Sequence, residues 1–209
     1  LQCALPMPRA PEELLPVELG VDVGGGGDET VVRERRGIKA GREWREKSER
    51  PESIARLILR AIHETGATAV KIDSIGVGAG VVGEMRNARL RHDHDARIYG
   101  VNVAEKATDP VKYANLRAEC WWTIGRVGSQ QREWDLSDME NADQTIAQLC
   151  GPRYTEDLKG RVLIEKKEEL IARVGRSPDS ADALLLAYLI PKNAAQDYWN
   201  ALADGRLRR

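Results

Sequence analysis

Four aspartates stand where carboxylates could do chemistry. Asp22 lies between Val21 and Val23 near the end of an apolar run, so on a strand it faces away from both valines. Burying it unpaired would cost several kcal/mol, and it therefore calls for a cation or a dense set of donors. Asp73 repeats the situation in Val70-Lys71-Ile72-Asp73-Ser74-Ile75, just before a glycine-rich turn. Asp179 and Asp182 open the apolar stretch Ala183–Tyr188; three residues apart on a helix they share a face, and Asp179 sits in the first turn, where the dipole favours anions. Each also has a purely structural reading. Asp22 could cap the glycine turn, Asp73 could pair with an arginine, and Asp179 after Ser177-Pro178 could be a helix-start acid. Together they form the oxygen-rich donor set that a hard cation such as Mg2+ or Mn2+ requires. Carboxylates from separate elements can also hold two ions for in-line displacement at phosphorus. Asp28 and Glu29 follow closely enough to join that shell or orient water.

The elements that must position these acids are legible in the residue pattern. A strand over 17–23 enters the four glycines 24–27, a second strand covers 29–36, and Gly37 reverses the chain into a third over 38–44, giving an antiparallel meander. Pro51 starts a helix whose Ile54, Leu57, Ile58, Ala61 and Ile62 recur at core-facing spacing until Gly66. A strand over 69–75, a helix to about Arg91, a strand over 98–103 and a long helix from Pro110 to about Val127 follow. Past Gly128 the pattern predicts a polar segment, a short helix around Ile146 and Leu149, a strand pair near Arg153-Tyr154 and Val162–Ile164, and a last helix from Pro178 through Tyr188. Antiparallel strands first, then strands alternating with helices, predict an α/β domain with a mixed sheet flanked by helices.

At these residues the sequence resembles the C-terminal nuclease domain of the large terminase subunit of tailed bacteriophages, a ribonuclease H-like fold. The resemblance rests on Gly20-Val21-Asp22-Val23-Gly24 with residues 25–30, on Ile72-Asp73-Ser74-Ile75 with Gly76-Val77-Gly78-Ala79-Gly80-Val81, and on Arg176-Ser177-Pro178-Asp179-Ser180-Ala181-Asp182-Ala183-Leu184. The run from Lys166-Lys167 to Arg173 also matches, and the whole spans about residues 18–190. It implies a metal-dependent endonuclease that cuts concatemeric double-stranded phage DNA with two Mg2+ or Mn2+ ions. Asp22 and Asp73 would be ligands and catalytic acids, with the third from Asp179 or Asp182, Asp179 being preferred. The implied partners are the ATPase domain of the same polypeptide, the small terminase subunit and the portal, in the cytoplasm of the bacterial host. The 209 residues contain no G-x-x-x-x-G-K-[ST], so P-loop ATP hydrolysis is not encoded in them.

Two other classes compete. Gly78-Ala79-Gly80-Val81-Val82-Gly83 satisfies G-x-G-x-x-G after a strand, with Glu105 near where a ribose-binding acid would sit, as in a dinucleotide-dependent oxidoreductase. That reading gives the four aspartates no task; the glycines fit better as room for a helix to pack beside Asp73. The other is a non-catalytic interaction domain with solvated acids. His92-Asp93-His94-Asp95 resembles a ligand set but reads as an exposed turn, and Trp44, Trp121 and Trp122 read as packing residues.

DNA contact is expected from the second and third strands, where Arg33, Arg35, Arg36, Lys39, Arg42 and Arg45 cluster and alternation puts Arg33 and Arg35 on one face. The alternative is an edge hairpin guarded by charge. Lys plus Arg is 32 against Asp plus Glu 33, a net charge of −1, so no basic excess advertises a nucleic-acid partner. A metal-dependent nuclease concentrates acids at its centre, however, and those cancel peripheral arginines, which predicts that DNA affinity depends on divalent metal. Three widely spaced cysteines encode neither a disulfide framework nor a zinc knuckle, and no apolar run approaches the ~20 residues of a membrane helix. Residues 1–17, with four prolines, read as a linker, 18–190 as the nuclease domain, and 191–209 as a C-terminal helix with a basic tail.

Overall fold

The computed structural model describes residues 15–25, 27–131 and 134–192. Most of the expected linker and of the expected C-terminal helix and tail therefore lies outside the described residues. Strands β1 (Val17–Asp22), β2 (Thr30–Arg36) and β3 (Lys39–Glu46) form the expected meander, with Asp22 opposite Val31 and Val32 opposite Trp44. Helix α1 (Pro51–Thr65) begins on its proline and ends at Gly66 in the left-handed conformation. It leads into β4 (Ala69–Asp73), which pairs parallel to β1; α2 (Val77–Leu90) then returns the chain to β5 (Arg97–Val101), parallel to β4. The sheet order is β3-β2-β1-β4-β5, the mixed arrangement the pattern predicts.

Alternation along the central strands divides two interiors. Leu19, Val21, Val70 and Ile72 pack with Ile54, Ile58, Val81 and Met85 of α1 and α2 in an apolar core. The opposite face carries Glu18, Gly20, Asp22, Lys71, Arg33 and Arg35, and helix α7 (Asp179–Tyr188) lies across it. Two contacts seat α7 there. A Cβ on Gly20 would stand 2.1 Å from the carbonyl oxygen of Ala183 and 2.2 Å from the nitrogen of Ala187, so only glycine lets the helix backbone rest on β1. The Ala187 carbonyl also accepts hydrogen bonds from Arg35 Nε at 2.8 Å and Lys71 Nζ at 2.7 Å.

The sequence pattern errs most over 110–131. Instead of one long helix from Pro110, turns precede α3 (Leu116–Cys120), which Asn115 caps by accepting from the Ala118 amide at 2.8 Å. Asp109 holds the preceding turn by accepting from the Val111 and Lys112 amides. From α3 the chain continues as a π-helical segment, Trp121–Gly128, and a last turn α4 (Ser129–Gln131). Helix α5 (Ala142–Leu149), the hairpin of β6 (Tyr154–Glu156) and β7 (Val162–Ile164), and α6 (Lys167–Val174) complete the described chain. Only Leu170 of α6 is buried, and its short apolar set, Leu170, Ile171 and Val174, is too small to mark the helix in the sequence.

Candidate active site

The parallel register of β1 and β4 runs to Val21 opposite Ile72, which carries Asp22 and Asp73, the next residues, to adjacent strand ends. Asp73 is fixed by accepting from the Ile75 amide at 3.1 Å, and Gly78 allows α2 to start directly against it, since a Cβ there would lie 1.8 Å from the Asp73 carbonyl oxygen. That close approach gives the first glycine of the G-x-G-x-x-G stretch its task. Gly83 faces open space, and no dinucleotide site is supported.

Helix α7 brings the remaining acids. Its first turn is docked through buried Ser180, which donates to Glu43 of β3 at 2.9 Å and accepts from Arg45, and through the Ala181 amide, which donates to Gln148 of α5 at 3.1 Å. With Gly20 beneath its middle, this docking delivers Asp182 beside Asp22. At the centre stands Lys167, the first residue of α6. Its Nζ lies 3.5 Å from Asp22 Oδ2, 3.4 Å from Asp179 Oδ1 and 3.6 Å from Asp182 Oδ2. A lysine opening a helix opposes the helix dipole, so its placement answers to the acids around it. The sequence gives no hint of this role beyond the Lys166-Lys167 match, because α6 and the acids meet only in the tertiary fold.

Burial raises the Asp22 carboxyl well above the usual carboxylate range, with Lys167 pulling it down and Asp182, Asp179 and Asp73 pushing it further up. Burial likewise raises Asp182 and Asp73. For Lys167 burial works against the ammonium, but Asp22, Asp182 and Asp179 outweigh it and hold the proton on. The acids mutually repel in a place with little water and are kept together by one cation. Among the described residues no three His, Cys, Asp or Glu side chains are already grouped as a metal cage; Asp22, Asp179 and Asp182 each face the Lys167 ammonium. An all-oxygen donor set gathered around a positive charge fits a hard divalent ion, which would take over or share the charge that Lys167 supplies.

The acids open into a cavity of about 620 Å³. Asp22, Asp28, Asp73, Asp182 and Lys167 line it, together with apolar residues that include Val103, Trp121 and Leu186. Asp179 does not line it, and its Oδ1 accepts from Ser177 Oγ. Glu29 stays outside, paired with Arg45 at 3.0 Å.

The basic residues of the meander are committed elsewhere. Arg33 and Arg35 do share a face, but it is the interior one. Arg33 is 0% exposed, paired with Glu43, and donates to the carbonyls of Gly41 and Glu140 and to Thr145 Oγ1. It cannot reach a phosphate, which corrects the expectation of DNA contact there. Arg35 engages Glu18 and the carbonyls of Gly37 and Ala187. Arg36 donates to the Leu15 carbonyl, Lys39 pairs with Asp138, and Arg42 pairs with Glu34 and donates to the Glu64 carbonyl. Arg35, Lys39 and Arg42 are thus each ion-paired within the domain, Arg42 remaining 42% exposed.

His92, Asp93 and Asp95 are exposed as expected, while His94 is buried with Nε2 against the Met85 carbonyl at 3.0 Å and joins no metal group. Trp44 and Trp121 are buried packing residues.

No protein-family model and no curated protein matches the sequence. Solved structures do. The nuclease domain of the large terminase subunit of bacterial virus Sf6 superposes with a TM-score of 0.71 at 18% identity, covering 84% of this chain and 89% of that one. The fold is that of a phage large-terminase nuclease. The large terminase nuclease of thermophilic phage G20c aligns over 88% of this chain and 91% of its own, with a TM-score of 0.61 at 14% identity. The same G20c domain with bound magnesium gives a TM-score of 0.59 at 15% identity, covering 84% of this chain and 81% of that one. The shared architecture is the ribonuclease H-like mixed sheet flanked by helices. Among the described residues no helix is long and apolar enough to cross a membrane.

Proposed function

We propose that the chain is a divalent-metal-dependent endonuclease domain that hydrolyses phosphodiester bonds of double-stranded DNA, of the kind that cuts concatemeric phage genomes for packaging. One observation carries this reading: a buried carboxylate of β1 and half-buried ones of β4 and α7 converge at the strand ends beside a cavity, with the Lys167 ammonium against those of β1 and α7. The shared fold supports it, and the terminase nuclease neighbours bind manganese, calcium, magnesium or cobalt.

Asp22, Asp73 and Asp182 are the residues we assign to hold the metal. Asp182 is preferred over Asp179 because it lines the cavity and its charge bears on both Asp22 and Asp73, whereas Asp179 does not line the cavity and its Oδ1 is tied to Ser177. Two divalent ions bound there would supply an activated water and charge stabilisation at the phosphorus. Without a divalent cation the acids repel the phosphate backbone, leaving Lys167 as the local counter-charge. Lys166 and Arg117 also line the cavity and add positive charge there. The proposed partners are DNA, the ATPase motor of the same polypeptide, the small terminase subunit and the portal, in the host cytoplasm.

Incubation of supercoiled plasmid with Mn2+ or Mg2+ tests the proposal. Nicked and linear products are expected from the wild type, with none in EDTA or in Asp22→Asn and Asp182→Asn, while Asp179→Asn retains activity. Cleavage that persists in Asp22→Asn, or no cleavage by the wild type at any metal concentration, overturns it.

A further inference from the structure

We propose that Trp121 is the positioning residue of Asp182: its indole N–H holds one carboxylate oxygen outward so that the other faces the acidic centre. This rests on Asp182 being a metal ligand, as proposed above. The two oxygens of Asp182 are in fact divided. Oδ1 accepts from Trp121 Nε1 at 3.2 Å, and Oδ2 faces Lys167 Nζ at 3.6 Å.

Three features point to a role beyond packing. First, Trp121 is only 6% exposed, and a buried indole needs a partner for its one polar atom; here that partner is a carboxylate of the site. Second, the helix changes from α to π geometry at Trp121, a rare distortion that recurs at functional sites. Third, the ring is clamped. Ala181 and Leu185, which flank Asp182 on α7, pack with it, and the Arg117 guanidinium stands 5.8 Å from its centroid. Arg117 is itself anchored, Nη1 donating to the Glu165 carbonyl at 2.6 Å, while Nη2 is buried with no hydrogen-bond partner.

The chemistry of the donor matters. Lys167 already puts a positive charge on Oδ2, where it competes with a metal; a second ammonium on Oδ1 would add to that competition. A neutral N–H orients the group and leaves its negative charge available, as outer partners of metal ligands generally do.

The test is Mn2+ affinity of the whole chain, measured by electron paramagnetic resonance, in the wild type, Trp121→Phe, Asp182→Asn and the double variant. Ile58→Val in the remote α1 core serves as a destabilised control. Loss of the indole donor should weaken Mn2+ binding about tenfold or more. It should add nothing in the Asp182→Asn background, because it acts through that carboxylate. Ile58→Val should bind as the wild type does. If Trp121→Phe binds Mn2+ normally, or if the two losses multiply, the inference falls while the metal site stands. If Asp22→Asn binds Mn2+ as well as the wild type, the metal site itself falls. In the unmodified protein, added Mg2+ should shift the Trp121 indole N–H resonance and leave that of Trp44, bonded to Glu64, in place. A Trp121 resonance that does not move also overturns the inference.

Discussion

Gly20 sets the distance between β1 and α7, and replacing it with alanine should separate stability from ordinary glycine effects. The added methyl would meet the Ala183 carbonyl oxygen at 2.1 Å, the Ala187 nitrogen at 2.2 Å and the Ala187 Cα at 2.8 Å. All three are backbone atoms of a helix, so no side-chain rotation relieves the clash. Restoring ordinary contact requires α7 to lift from the sheet by more than an ångström. That movement also strains the hydrogen bonds of Arg35 and Lys71 to the Ala187 carbonyl and carries Asp182 away from Asp22. Overpacking of this kind costs about 3 kcal/mol. In a domain of this size such a loss lowers Tm by roughly 6–12 °C. Gly83→Ala is the control: a Cβ there meets nothing within 4 Å, and the position lies inside α2. Helix propensity alone should raise stability there by about 1 kcal/mol. Urea and thermal unfolding of both variants, with Mn2+ affinity of each, decide the matter. A Gly20→Ala protein that melts with the wild type and binds Mn2+ equally well would refute the idea that this contact positions the site.

Two further outcomes follow from buried charge. Arg33→Ala leaves the buried Glu43 with Arg45 as its one remaining ion-pair partner among the described residues and should cost about 3–5 kcal/mol in urea unfolding, with plasmid cleavage by the folded fraction retaining its salt dependence. A steeper loss of DNA affinity than of stability would return Arg33 to the DNA surface. The second concerns pH. Burial raises the folded pKa of Asp22 above its unfolded value, so its contribution to stability is fully present below pH 3.8 and is lost as pH rises through the folded value. In EDTA, Asp22→Asn should therefore gain stability relative to the wild type as pH rises above 3.8. A gap that stays constant or narrows with pH would contradict the direction assigned to this group.

The sequence alone determined the elements that carry the four aspartates and the chemistry of those side chains. Apolar alternation around Asp22 and Asp73, the meander punctuated by Gly24 and Gly37, the proline-started α1 and the Asp179-Asp182 pair all depend on nearest neighbours, whose periodicity is visible in one dimension. The arginines of β2 and β3 show the limit of that information. Alternation correctly put Arg33 and Arg35 on one face, but a pattern cannot say whether that face meets water or α7, and here it meets the helix. The tertiary structure likewise decided that α7 rests on Gly20, so that Asp182 comes to line the cavity with Asp22 and Asp73. It decided that Lys167 stands among acids 145, 12 and 15 residues away in the chain, and that the helix expected from Pro110 begins only at Leu116 and turns π-helical at Trp121, bonded to Asp182. Long-range packing and Coulomb forces act between surfaces that exist only after folding, and no local spacing records them.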